Sequence, residues 1–173
     1  MNARQGGFSM IEVLVTIAIL MIGLLGLAAL QTNATIAEIE AYQRSQALVL
    51  VQDMADRIAA NKVNAAAYVI SNTGATVATC PTSPPIAAID LCEWGNKLAG
   101  AAEVTGGGNN VGAMIGARGC VTQPTPNNYL ITVTWQGMRQ SGFGVAGTNC
   151  GSGLYGAGQR RLVSVVVRVG LLG

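Results

Sequence analysis

The sequence predicts an α+β fold in which one long N-terminal helix carries a small antiparallel sheet, and three observations predict it. Residues 8–30 form an apolar run whose only charged residue is Glu12. Residues 31–61 contain neither Gly nor Pro and repeat apolar side chains at helical spacing. Two later segments alternate apolar and polar residues with the period of a half-buried strand. At 173 residues the chain has room for one domain with appendages. Half of it is hydrophobic and 10% is charged, against a usual charged share of about 25%. That is too apolar for a disordered chain. Histidine is absent, which excludes a Ser-His-Asp or Cys-His dyad, an imidazole proton shuttle and a His-ligated metal. The expectation is a protein that is not an enzyme and carries no cofactor and no metal. A net charge of +2 does not by itself argue for nucleic acid or anionic lipid.

The first element justified is the membrane segment. At about 1.5 Å per residue, residues 8–30 reach roughly 34 Å, enough to cross a hydrocarbon core of about 30 Å. A cleaved secretory signal fits poorly, because its apolar run is only about 7–15 residues long and contains no carboxylate. Ala28-Ala29 would have to be the cleavage site, yet the helical pattern runs past it. A plain signal anchor fits the length but gives no reason for Glu12. A charge in a spanning helix costs roughly 2.5–3.5 kcal/mol at the bilayer centre and less near the end, so this acid needs a partner. A cut between Gly7 and Phe8 would supply one. The new α-amino group would lie one helical turn from Glu12, or would meet the Glu12 of a neighbouring copy.

Gly7-Phe8-Ser9-Met10-Ile11-Glu12 followed by an apolar helix resembles the class III signal of type IV pilins and type II secretion pseudopilins. The resemblance implies cleavage after Gly7 by a prepilin peptidase, N-methylation of Phe8, and a Glu12 that guides assembly into a helical filament. It further implies a chain held in the bacterial inner membrane, with its N-terminus cytoplasmic and its head periplasmic, before passing into a surface pilus. The implied partners are the membrane, the peptidase, an inner-membrane assembly platform, and other minor and major pilins. Arg4 agrees with that orientation by the positive-inside rule, although a single residue is a small bias. Many major pilins carry a proline within this helix, whereas here Gly23 and Gly26 are the only weak points.

The second element continues the first. In residues 31–62, Ile36, Ile39, Ala47, Leu50, Met54 and Ile58 recur at helical steps between Glu38, Glu40, Arg44, Gln52, Asp53 and Arg57. This predicts an amphipathic helix whose stripe carries the head, with Asp53 and Arg57 an exposed i,i+4 pair. Gln43 and Gln46 interrupt the stripe and argue against a coiled coil. The organisation expected is therefore a leader over 1–7, a membrane or filament-core helix over 8–30, its amphipathic continuation over 31–62, and a head over 63–173.

Within the head, Asn72-Thr-Gly74 and Cys80-Pro-Thr-Ser-Pro-Pro85 read as a crossing loop. Asp90 reads as the N-cap of a short helix over 91–99 that buries Leu91, Trp94 and Leu98. Tyr129-Leu-Ile-Thr-Val-Thr-Trp135 alternates as a half-buried strand, and residues 162–169 form another with Val163, Val165, Val167 and Val169 on one face. A weaker third strand covers residues 112–121. This order of elements resembles the PilV-type minor pilins, also called type IV pilus modification proteins. A minor pilin that initiates or modifies pilus assembly is the function implied, with a minor pseudopilin of a type II secretion system as the alternative.

Cys80, Cys92, Cys120 and Cys150 all lie on the translocated side, where an even count argues for disulfides. Three connectivities are open. Cys80 with Cys92 and Cys120 with Cys150 is favoured, because the first would staple the Pro-rich loop to the short helix and the second would tie the third strand to a later loop. Zinc is disfavoured without a close Cys pair or His. Gly151-Ser-Gly153-Leu-Tyr-Gly156 matches a dinucleotide fingerprint, but a Val-rich strand rather than a helix follows it. Residues 31–103 hold seven acids and four bases, whereas residues 104–173 hold five arginines and no acid. The basic half is read as a face for acidic flanks of neighbouring subunits. An anion, adhesive or nucleic-acid face centred on Arg160 and Arg161, with Arg168 beside them, is the sharper and weaker alternative.

Overall fold

The computed structural model describes residues 9–101, 106, 114–141 and 148–170. The chain divides into two compact units, Met1–Ile39 and Glu40–Gly173. Helix α1, Met10–Ala60, supplies nearly all described residues of the first unit and the first element of the second. Its N-terminus is set by Ser9, whose backbone carbonyl and hydroxyl both accept from the Glu12 N–H, at 3.0 and 3.4 Å. Its C-terminus comes one residue before Asn61, where the chain tightens into a 3₁₀ stretch, Lys62–Tyr68, broken at Asn64.

In the second unit the buried face of α1 is Gln43, Ala47, Val51, Met54, Ala55 and Ile58. The expected stripe is thus shifted: Leu50 is only partly buried and Gln43 sits in the core. A sheet in the order β1-β2-β3-β4 completes this core, with β1 Ile70–Thr73, β2 Arg118–Thr125, β3 Asn128–Gln136 and β4 Arg160–Arg168, every neighbouring pair antiparallel. Val121, Ile131 and Val133 from the sheet pack in one cluster with Val51, Met54 and Ile58 from the helix, all fully buried. The arrangement is α+β.

Four expectations are corrected. Residues 70–73 are not part of a crossing loop but form β1, which pairs Ile70 with Val121 and Thr73 with Gly119. Four residues with one apolar side chain carry no periodicity, so only the pairing defines this strand. Helix α2 runs Ile86–Leu98 and its N-cap is Pro85, whose carbonyl accepts from the Ala88 N–H. Asp90 is therefore inside the helix, and its carboxylate is free to bond across to other elements. The third strand begins at Arg118 because Gly116 turns the chain at φ +60°; residues 112 and 113 lie outside the described residues. Finally, β3 is buried on both faces rather than half-buried, with Thr132 and Thr134 at 1% and 0% exposure. The turn around Cys150 and Tyr155 lies over its outer face, where the Tyr155 hydroxyl bonds Thr134 Oγ1 at 3.0 Å and the Gly116 carbonyl at 2.8 Å. The dinucleotide-like glycines belong to this cover: a Cβ on Gly151, at φ +63°, would sit 2.5 Å from Thr134 Oγ1.

Cys80 is bonded to Cys92 and Cys120 to Cys150, across sequence separations of 12 and 30. Closing loops of these lengths stabilises the fold by about 3–4 kcal/mol each in the chain-entropy account. The first bond fastens the Pro-rich segment to α2, and the second fastens the outer cover to β2.

Candidate functional site

Among the described residues of the first unit, the apolar helix is exposed. Ile11, Ile22 and Leu25 are each 70% exposed or more, and none of the most apolar 18-residue window of α1, mean hydropathy 2.8, is buried. Exposed apolar surface on this scale calls for lipid or for other subunits. Glu12 lies in its first turn, exposed, three residues after the Ser9 cap. Ser9-x-x-Glu12 has the spacing of a capping box, a signal in the sequence that the reading of Glu12 as a charge alone passed over. An acid in the first turn also complements the helix dipole. Gly7 and Phe8 lie outside the described residues.

The second unit joins α1 to α2 through charge. Arg57 reaches Asp53 at 3.3 Å, Asp90 at 2.6 Å and Glu93 at 2.8 Å, while Lys97 reaches Asp53 at 3.0 Å. The Asp53 and Arg57 pair is thus the core of an interhelical network rather than an isolated surface pair. Burial disfavours the guanidinium charge, but Glu93, Asp53 and Asp90 outweigh it and raise the Arg57 pKa further above its ordinary value. Tyr68, fully buried, donates its hydroxyl to Asp90 and accepts from Asn61.

Burial first, and then the bond to Asp90, push the Tyr68 phenol above its ordinary value of 10.0. A raised phenol pKa means that the fold holds the proton which the unfolded chain releases. Its contribution to stability is complete below pH 10.0 and is lost as pH rises through the folded value. Burial raises Tyr155 in the same sense. Urea titrations from pH 8 to 11.5 should show stability falling above about pH 10, and Tyr68→Phe should make that fall shallower. An unchanged slope in the variant would remove Tyr68 from the account.

The basic half is less open than its sequence suggests. Arg160 is half-buried and donates to the Cys150 carbonyl at 3.2 Å. Arg161 donates to the Arg139 carbonyl at 2.7 Å, to the Gly158 carbonyl and Ser141 hydroxyl at 3.1 Å, and meets Glu40 at 3.5 Å. These two side chains tie β4 to α1 and to the preceding loop, so the arginines read as the centre of an anion or partner face are half-buried and already bonded within the head. Arg168 alone of the three is exposed. A cavity of about 370 Å³ lies beside Arg161 and is lined also by Glu40, Arg44 and Trp135. Among the described residues no three His, Cys, Asp or Glu side chains are grouped as metal ligands, and all four cysteines are in disulfides.

Two family models match consecutive stretches of the chain. The prokaryotic N-terminal methylation motif matches residues 2–28, and the type IV pilin Tt1218-like family matches residues 29–95. No curated protein and no solved structure matches.

Proposed function

The chain is type IV pilin-like, and from that premise we propose that it is a minor pilin, a structural subunit that helps to initiate or modify a type IV pilus. The observation that carries this reading is Glu12, the one charged residue in the apolar stretch 8–30, five residues after Gly7. A prepilin peptidase cuts between Gly7 and Phe8, and Phe8 is methylated. The cut leaves an α-amino group at the helix start, positioned to neutralise a Glu12 within the filament. Residues 8–30 hold the subunit in the inner membrane, N-terminus inward, and then line the filament core. The head, closed by two disulfides, waits on the periplasmic side and supplies contacts to neighbouring pilins. The minor role is read from the resemblance of its short helix, Tyr129–Trp135 strand, cysteine loop and Arg160–Val167 strand to the PilV-type minor pilins.

The test is the intact mass and N-terminal sequence of the membrane-extracted chain, made with and without a prepilin peptidase. A chain that begins at methylated Phe8 only when the peptidase is present supports the reading; one that still begins at Met1 or Asn2 overturns it. Quantitation in sheared filaments then decides the minor role. A subunit far below the major pilin in amount fits, and one that forms the bulk of the filament does not.

A further inference from the structure

The segment that joins β1 to α2, residues 74–85, lies in neither helix nor strand. Thr76, Thr79, Thr82 and Ser83 fall within it, and Pro81, Pro84 and Pro85 are set among and after them. Ser and Thr interspersed with Pro is the composition of segments that carry O-linked sugar. All four hydroxyl residues are exposed, and among the described residues none of the four hydroxyls makes a hydrogen bond. In the sheet, by contrast, Thr125 accepts from Asn128, Thr132 pairs with Ser164, and Thr134 pairs with Tyr155.

The free hydroxyls are held at a fixed place on the head. Asn96 of α2 accepts from the Ala78 N–H and donates to the Ala78 carbonyl, both at 2.7 Å, and Cys80 is bonded to Cys92. Thr82 and Ser83 follow this anchor directly, between Pro81 and Pro84. Pro81 has no N–H to donate, and Pro84 disfavours helical backbone at Ser83, so α2 begins only at Ile86 and leaves both hydroxyls outside it. Charge favours a neutral group here. Residues 63–96 contain Asp90 and Glu93 and no Lys or Arg, so a phosphate on Thr82 or Ser83 would find no counter-charge in its own segment, whereas a sugar needs none. A sugar would also hydrate a stretch whose neighbours Val77 and Ile86 are 48% and 56% exposed.

We propose that Thr82 and Ser83 are acceptors for an O-linked neutral sugar, transferred to the head from a lipid-diphosphate donor by a membrane transferase. The hydroxyl oxygen attacks the anomeric carbon of the donor sugar, and a new carbon–oxygen bond forms there. The bond from that carbon to the phosphate oxygen breaks, and the lipid diphosphate leaves with the electron pair. The hydroxyl proton passes to a base of the transferase, and nothing is oxidised or reduced. The proposal rests on the filament reading in one respect, that the head reaches the outer face of the membrane.

Trypsin releases residues 63–97 as one peptide, because no Lys or Arg lies between Lys62 and Lys97, and both Cys80 and Cys92 stay within it. From the full chain extracted from the cells that make it natively, this peptide should be heavier than its sequence by whole sugar residues. From a laboratory host with no protein O-glycosylation it should have the mass of its sequence. Fragmentation of the native peptide should put the increment on Thr82 or Ser83, and mild alkaline elimination should remove it. Thr82→Val with Ser83→Ala should abolish the increment while the melting curve and the Cys80–Cys92 bond stay as in the parent, since neither hydroxyl bonds within the fold. Thr76→Val should leave the increment in place. A native peptide with the mass of its sequence overturns the proposal, as does an increment of phosphate, a sugar placed only on Ser71, Thr73, Thr76 or Thr79, or a double variant that keeps it. The N-terminal peptide reports leader cleavage and residues 63–97 report the sugar, so failure of one reading is distinguishable from failure of the other.

Discussion

Trp94→Ala is expected to destabilise the second unit by about 3–5 kcal/mol, the range for removing a buried indole from a packed core. Trp94 is fully buried at the junction of α1, α2 and β2. Its Nε1–H donates to the Leu50 carbonyl of α1 at 2.8 Å, and its ring fills the space over Gly119, where a Cβ would lie 2.3 Å from the indole. Gly119 has to be glycine for α2 to approach β2 this closely. The cavity left by alanine cannot collapse easily, because the Cys80–Cys92 bond and the Arg57 network hold α2 at its distance. Denaturant unfolding of the detergent-held chain, followed by Trp135 fluorescence, measures the loss. Trp94→Phe keeps most of the apolar area and gives up the hydrogen bond, so its loss should be smaller. Met138→Ala, at an exposed site, should fall within about 0.5 kcal/mol of the parent. A Trp94→Ala loss below about 1 kcal/mol would mean that α2 is not clamped through this residue.

The effect on function follows from the scale of stability. A small domain is stable by only about 5–15 kcal/mol, so such a loss leaves a head that opens often. A subunit of that kind would be removed by proteases before it could enter a filament. This separates residues such as Trp94, whose loss reduces the amount of subunit, from residues that act in assembly while the head stays intact.

The long helix was legible because its signals are redundant. Apolar run, absence of Gly and Pro over residues 31–61, and helical spacing all agree, and they place its end within two residues of Ala60. Strands β3 and β4 were legible for the same reason, since Tyr129 to Trp135 and Val163 to Val167 alternate over enough residues to fix the period. What the sequence concealed depends on contacts between distant residues. Strand β1 exists through its pairing with Val121 and Gly119. Asp90 has the chemistry of a cap, yet Pro85 takes that position and Asp90 meets Arg57 and Tyr68 across the fold. Arg160 and Arg161 read as a basic pair in sequence, but carbonyls of the preceding loop turn them inward. The burial of Thr132 and Thr134 could not be read from their own strand, because the Cys150 and Tyr155 segment covers them. At the N-terminus the Ser9 and Glu12 spacing was visible, and only the competing charge argument hid it.

Glu12→Leu tests assembly apart from folding. In lipid the change removes a charged side chain whose cost reaches about 2.5–3.5 kcal/mol at the bilayer centre, so membrane retention should be equal or better. The second unit contains no part of this turn, and its stability should not move. Entry into the filament should fall steeply. If pairing with an α-amino group offsets about 2–3 kcal/mol of that burial, its loss corresponds to roughly 30- to 150-fold in the equilibrium for subunit entry. Glu12→Gln discriminates between the two roles of this residue. The backbone bond from Glu12 to the Ser9 hydroxyl is open to any residue here. Glutamine therefore differs from leucine in keeping a side chain that can accept a hydrogen bond at the helix start, and from glutamate in having no charge to neutralise the amine. Sheared filaments from cells carrying each variant, with membrane-bound subunit as the reference, give the ratio directly. Both variants should be depleted from filaments while they remain in the membrane. If glutamine restores incorporation and leucine does not, the hydrogen bonding at the helix start governs entry and the charge pair does not. If leucine enters as the parent does, Glu12 has no part in assembly and its place in the apolar helix needs another cause.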